Sequence, residues 1–214
     1  MAGRSSHPVF AHLYPLLVGG AGGVGDPEHR QRLLAGLAGV VLEVGVGPGV
    51  NFELYPPEVR LVLALEPDPY LRRLAERRAA LAPVPVSVLG GRAESLPVAT
   101  GSLDAVVTSL VLCSVDDSSA AIAELRRVLA PGGELRCFEH VRATTPRMAA
   151  LQDLLDPAWR RLAGGCHPGR DTAGALAAGG FELVELERFD VRFGPFGGLA
   201  VPVSPHILCR ARPA

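Results

Sequence analysis

Apolar and polar positions change period repeatedly along the chain after residue 27. EHRQRLLAGLAG (28–39) carries leucines on a helical spacing and ends in glycine. VVLEVG (40–45) is instead a short, nearly continuous apolar run, as a strand buried on both faces requires. The alternation then repeats. VRLVLALEP (59–67) predicts a second strand closed by Pro67, and PYLRRLAERRAA (69–80) a helix opening on Pro69 with Asp68 as its cap. VPVSVLGG (84–91) predicts a third strand and LDAVVTSLVLCSV (103–115) a longer fourth. SSAAIAELRRVL (118–129), led by serines, places Ile122, Leu125, Val128 and Leu129 on one helical face. The turn PGG at 131–133 then leads into a fifth strand, GELRCFEHV.

Beyond residue 141 the pattern is less regular. PRMAALQDLLDPAWRRLAG (146–164) sets Met148, Leu151, Leu155, Trp159 and Leu162 on a stripe that predicts core packing, with Pro157 kinking or breaking the helix. DTAGALAAGG predicts a weak helix. FELVELERFD and SPHILCRAR predict the last two strands, linked through the Gly-, Pro- and Phe-rich residues 191–203. Strands alternating with helices point to an α/β domain with a mostly parallel sheet, without internal repeat or second domain.

Composition narrows the partners. With 214 residues, 48% of them hydrophobic, the chain can bury a substantial core. A formal charge of −1 leaves no basic footprint for nucleic acid, so the expected partner is a small molecule. No apolar run reaches the ~18 residues of a membrane span, so a cytoplasmic protein without a stable membrane anchor is expected, monomeric or homodimeric. The four cysteines, Cys113, Cys137, Cys166 and Cys209, are widely spaced with no C-x-x-C pair, and neither a disulfide framework nor a metal site is expected, although Cys166 and His167 are adjacent. All 21 basic residues are arginine. This excludes Schiff-base chemistry, a lysine base and the lysine-bearing phosphate loop.

The chemistry begins in VVLEVGVGPGVN (40–51). A dinucleotide fingerprint, G-x-G-x-x-G, needs a third glycine where this chain has Val50; its glycines are Gly45, Gly47 and Gly49. Glu43 before them suits a pyrophosphate poorly, since two negative groups would share a low-dielectric turn. It suits a cationic ligand better. S-adenosylmethionine offers a sulfonium and an ammonium and carries no phosphate. Glu43 would face its amino-acid end, directly or through water. Glu66, 17 residues after Gly49 at the carboxyl end of the second strand, stands where an acid accepts both ribose hydroxyls.

LEVGVGPG (42–49), GRAESLP (91–97), SLDAVVTSLVLCSV (102–115) and LRRVLAPGGELRCFEHV (125–141) together resemble the successive motifs of class I S-adenosylmethionine-dependent methyltransferases. The resemblance implies a Rossmann-like doubly wound sheet of about seven strands, mostly parallel with an antiparallel last strand, and helices on both faces. It implies S-adenosylmethionine as cofactor and S-adenosylhomocysteine as product. Gly45, Gly47 and Gly49 would line the methionine and ribose, with Glu66 and Pro67 on the ribose side. Ala93 and Glu94 would border the adenine, and Leu110 would stand beside the cofactor. Many members carry an aspartate where this chain has Arg92, which cannot accept a hydrogen bond. An N-terminal segment, 1–27, would act as a lid carrying Tyr14, with one domain over 28–214: a cofactor half (28–141) and an acceptor-pocket half (142–214).

NFELYPP (51–57), LVLCSV (110–115), EHV (139–141), LDPAWR (155–160), GGCHPGRDT (164–172) and PHI (205–207) are similar to the methyltransferase-like 7 family, the thiol S-methyltransferases of animals, and to their bacterial relatives. The animal members begin with a hydrophobic anchor, whereas the start of this sequence, MAGRSSHPVFAHLYPLLVGGAGG, is interrupted by His, Pro and Gly, so their membrane association is not expected here. This resemblance implies a thiol acceptor, with His140 as possible base and Asp156, Trp159 and His206 as candidate acceptor-pocket groups. Thiols need little activation, because a few per cent is thiolate at neutral pH. Three alternatives stay open: O- or N-methylation of a natural-product-like molecule, a nicotinamide dehydrogenase disfavoured by Val50 and Glu43, and a cofactor-binding module without catalysis.

Overall fold

The computed structural model describes His12, residues 27–191 and residues 201–214. Its strands are β1 (Gly39–Val44), β2 (Val59–Leu65), β3 (Val86–Leu89), β4 (Leu103–Ser109), β5 (Leu129–His140), β6 (Phe181–Asp190) and β7 (Pro205–Pro213). They form one sheet in the order β3-β2-β1-β4-β5-β7-β6, parallel except for β7, which runs against both β5 and β6. The expected doubly wound α/β sheet with a reversed last strand is thus observed. Its order reverses between β1 and β4, and in open sheets the crevice at that switch point, beyond the strands' carboxyl ends, takes the ligand.

Helices α1 (Pro27–Leu34), α2 (Pro69–Ala79), α3 (Ser118–Val128), α4 (Pro146–Leu162) and α5 (Thr172–Ala178) flank the sheet. Side chains alternate across β1. Val41 packs with Leu33, Leu34, Val62 and Phe138, while Leu42 and Val44 pack with Ile122, Leu125 and Leu176 on the other face. Asp68 caps α2 as expected, accepting from the N–H groups of Tyr70 and Leu71. At α3 the cap is Asp117 and not the leading serines: its carboxylate accepts from Ala120 N–H at 3.0 Å. β4 ends at Ser109, six residues earlier than the apolar run suggests, because Leu110 takes a left-handed turn (φ 61°).

Of the kink or break expected at Pro157 in α4, the break is not observed: the helix is continuous over Pro146–Leu162. The apolar stripe is not core either: Leu151, Leu155 and Leu162 are exposed, and only Ala149 and Gln152 are buried. The helix is held instead by one amide. Gln152 Nε2 donates to the carbonyls of Val141 (3.0 Å), Pro168 (2.8 Å) and Pro202 (2.9 Å), and Oε1 accepts from Ala143 N–H (2.9 Å). Replacing Gln152 with leucine keeps the volume and orphans these backbone groups. Stability should fall by about 3 kcal/mol. Gln152→Glu, which aims a carboxylate at three carbonyls, should be as damaging in urea denaturation. Unchanged midpoints in both variants would remove this role.

Candidate active site

A cavity opens at the carboxyl ends of β1, β2 and β4. Five of the residues expected to bind cofactor meet on its wall: Gly45, Glu66, Pro67, Ala93 and Glu94. Gly45 has φ +66°, and a Cβ there would lie 2.6 Å from the Val111 side chain, so the loop passes where only glycine fits. Gly49 (φ +80°) lies off this wall, and a Cβ on it would meet the Phe52 ring at 2.5 Å. Gly47 connects loop and acid, its N–H donating to Glu66 Oε2 at 2.8 Å while Asp68 N–H donates to Oε1 at 2.9 Å. Glu66 is thereby aimed by backbone on both oxygens, each keeping a lone pair for a ligand. Burial pushes its carboxyl above the usual range. A glycine-lined passage with a fixed bidentate acceptor fits a nucleoside with free ribose hydroxyls.

Opposite, Arg92 pairs with Glu94 and with Asp116 Oδ2 at 2.6 Å. Glu94 Oε1 also accepts from Asp116 N–H at 3.1 Å. The arginine that cannot accept from an adenine therefore closes the rim by tying the 91–97 loop to the start of α3.

Glu43, expected to face the cofactor's amino-acid end directly or through water, is not among the residues that line the cavity. Its carboxylate accepts from Asn51 Nδ2 (2.6 Å) and the Tyr55 hydroxyl (2.8 Å), both in the NFELYPP segment. Asn51 Oδ1 in turn accepts from Arg30 Nη1 at 2.8 Å, which also donates to Ser109 Oγ at 3.1 Å. Arg30, on α1, is only 4% exposed, and its Nε and Nη2 have no partner among the described residues. A buried guanidinium with spare donors fits an anionic group such as an amino-acid carboxylate. Sequence reasoning missed Arg30 because helix periodicity shows a charge only as surface.

Burial raises the Glu43 carboxyl from 4.5 to about 7, against the lowering effect of its Tyr55 and Asn51 hydrogen bonds and of Arg30. A carboxyl raised on folding contributes stability that is full below about pH 4.5 and is lost as pH rises through about 7. Relative to Glu43→Gln, the wild type should lose up to about 3 kcal/mol across that window. Denaturation at a series of pH values checks it. Parallel curves for the two proteins would rule it out.

The remaining wall is the loop after β4. Leu110 is the one non-glycine residue with positive φ among those described. Its turn carries Val111, Ser114 and Val115 onto the cavity while Leu110 itself stays off it, so the neighbour expected beside the cofactor is shifted by one residue. The strained turn is held from below by Glu139, fully buried at the end of β5. Its Oε1 accepts from the N–H groups of Val111 and Leu112 (3.1 Å each), and its Oε2 from Cys113 N–H at 3.3 Å. EHV was legible as a motif. The task of its glutamate was not.

The candidate acceptor residues separate into two groups. His140 and His206 face each other in the β5–β7 register, with ring centroids 4.6 Å apart. His206 Nδ1 lies 2.7 Å from the Ser204 carbonyl, and its ring borders a second hollow with Met148 and Phe189. Asp156 lies away from both histidines and binds His167 Nδ1 at 3.1 Å, so Cys166 and His167 point apart. Trp159 is half-buried and its indole acts on the Cys166 thiol, helping to lower its pKa. Tyr14 lies outside the described residues, as does the expected lid apart from His12 and Pro27.

His140 Nδ1 lies 3.6 Å from Cys113 Sγ and 3.5 Å from Cys166 Sγ, and the sulfurs are 3.7 Å apart. This contradicts the reading of the cysteines as unconnected. The hydrogen bond shared with Cys113, and then the His140 imidazole, hold the Cys166 thiol down to about 5 against desolvation, while Cys113 is pushed up.

Residues 42–137 match the methyltransferase domain family. The chain is 37% identical over 186 residues to the thiol S-methyltransferase TMT1B of Homo sapiens, covering 83% of this chain and 73% of that one. It is 38% identical over 153 residues to the human thiol S-methyltransferase TMT1A, covering 69% and 62% respectively. Among solved structures, a candidate methyltransferase from Bacillus halodurans superposes with a TM-score of 0.72 at 18% identity, over 87% of this chain and 98% of that chain. Likeness at that identity speaks for the fold alone. Among the described residues, no helix is long and apolar enough to cross a membrane. At 37% identity over most of both chains, the protein belongs to the S-adenosylmethionine-dependent methyltransferases, in the group that contains the thiol S-methyltransferases.

Proposed function

We propose that the protein methylates a small thiol with S-adenosylmethionine as donor. The relatives carry the thiol; the cavity wall carries the cofactor. Glu66 receives the ribose hydroxyls, the backbone at Gly45 runs against the methionine arm, and Ala93 with Glu94 borders the adenine. When bound, the cofactor supplies an electrophilic methyl group on a cationic sulfur.

The chain's own task is then alignment and exclusion of water. Among the described residues on the cavity wall, the acids are Glu66, Glu94 and Asp116, and each is already committed to backbone or arginine donors. That leaves none poised as a general base. A hydroxyl acceptor would need one, whereas a thiol with a pKa near ~8.5 supplies its own anion. This commitment of the wall's carboxylates is the structural observation that favours sulfur over oxygen.

The deciding experiment follows S-adenosylhomocysteine release with matched thiols, phenols and amines. Thiols should lead in kcat/KM by about 100-fold or more, the scale of a missing acid–base contribution. Turnover of phenols or amines without thiols would replace this reading with O- or N-methylation.

A further inference from the structure

Behind the Val111–Val115 and Gly164–Gly165 parts of the cavity wall lies the group Cys113, His140 and Cys166. From its geometry we propose that these three residues form a site for a zinc-class divalent cation. With metal–sulfur bonds of ~2.3 Å and metal–nitrogen bonds of ~2.0–2.1 Å, tetrahedral corners lie about 3.8 Å apart between sulfurs and about 3.5 Å between sulfur and nitrogen. The observed edges are 3.7 Å for sulfur–sulfur and 3.6 and 3.5 Å for sulfur–nitrogen. One triangular face of such a tetrahedron is therefore already built.

The donor set selects the ion. Two thiolates and an imidazole are the ligands of a soft or borderline cation and poor ligands for magnesium or calcium. Two thiolates also neutralise a divalent charge, which matters because all three residues are buried. Sequence spacing conceals the set: His140 lies 27 positions after Cys113 and 26 before Cys166, on three separate elements.

The two loops that carry the cysteines are held by groups outside the triangle. Cys113 N–H is fixed by Glu139, and its carbonyl accepts from His167 N–H at 2.8 Å. Arg170 Nη1 donates to the carbonyls of Leu112 (2.6 Å) and Val115 (2.9 Å), so the loop bearing Cys166 is stapled to the loop bearing Cys113. His140 presents Nδ1 to both sulfurs. Its Nε2 has no partner among the described residues and carries the proton when Nδ1 is a ligand. The backing of the two cysteine loops is of the kind a preorganised metal site needs.

Three protein ligands leave a fourth corner, the pattern of catalytic zinc sites. Given the proposed function, a thiolate acceptor would suit that corner, its proton going to solvent. The cation site does not depend on that step.

The test uses reduced full-length protein, stripped by chelator and titrated with cobalt(II), then with zinc against a chromophoric chelator. One equivalent per chain is expected, with a thiolate-to-cobalt charge-transfer band and the visible bands of a tetrahedral ion. Cys113→Ser and Cys166→Ser should each lose that band, while Cys137→Ser, at a cysteine on β5 outside the group, should keep it. Calorimetry with S-adenosylhomocysteine reports whether each variant is folded; where one is not, the wild-type spectrum decides. Reduced wild type that takes up no stoichiometric cobalt, or a band surviving both serine variants, overturns the site. Thiol turnover without cation uptake would refute this inference alone, and cation uptake without thiol turnover would refute only the proposed acceptor.

Discussion

Truncating Glu139 to alanine is expected to destabilise the protein by about 3–6 kcal/mol, since hydrogen bonds to a charged acceptor contribute ~1.5–3 kcal/mol each and buried N–H groups left without one cost ~1–3 kcal/mol. Three such groups, on Val111, Leu112 and Cys113, end on this one carboxylate. A loss of that size approaches the whole stability of a domain holding ~5–15 kcal/mol. Glu139→Gln should be milder. It keeps one acceptor oxygen for two of the N–H groups and sets an amide donor against the third. Urea denaturation orders the three proteins, and hydrogen exchange over residues 110–115 locates the change. Wild-type midpoints and exchange rates in Glu139→Ala would show that the loop holds its shape unaided.

The effect should reach the site as well as the fold. Leu110 occupies a left-handed conformation that costs a non-glycine residue on the order of 1–3 kcal/mol. That cost is tolerable only while the next three N–H groups have somewhere to go. Released, the chain can return to extended backbone, and Val111 withdraws from Gly45. Cofactor affinity should therefore fall in Glu139→Ala although Glu139 never touches the cavity.

Local patterning made the sheet legible and left the buried polar network invisible. Continuous apolar runs marked β1, β2 and β4, and glycines with an acid 17 residues on marked the ligand side of β1 and β2. Both signals are short in sequence. The buried network is different: Arg30 and Asn51 each read alone as surface polar residues, Glu43 reads as a ligand-facing acid, and their shared role comes from contacts 8 and 21 positions apart. Cys113, His140 and Cys166 escaped for the same reason. α4 failed in the opposite direction. Its stripe of Leu151, Leu155 and Leu162 has the helical period, but period says only that a helix has an apolar face, not what covers it. Pro157 stands inside a continuous 17-residue helix, so a proline by itself did not mark a helix end here.

Replacing Glu66 is expected to weaken S-adenosylhomocysteine binding by about 100-fold or more, equivalent to ~3 kcal/mol from two hydroxyl hydrogen bonds to a carboxylate. Both oxygens are preset by Gly47 and Asp68, so the acceptor needs no reorganisation when the ribose arrives. Glu66→Gln should recover little. Its amide nitrogen replaces one acceptor and confronts either the Gly47 or the Asp68 N–H, displacing the glycine loop along with the ribose contact. A general collapse of the loop would lower affinity for every ligand, so the ribose role needs its own readout. The wild type should lose affinity for a cofactor analogue lacking the 2′-hydroxyl, whereas Glu66→Ala should bind that analogue and S-adenosylhomocysteine alike, because the acceptor that distinguished them is gone. Calorimetry on the four combinations gives the coupling directly. If the 2′-hydroxyl contributes equally with and without Glu66, the acid serves only to hold Gly47, and the ribose is recognised by another group on the cavity wall.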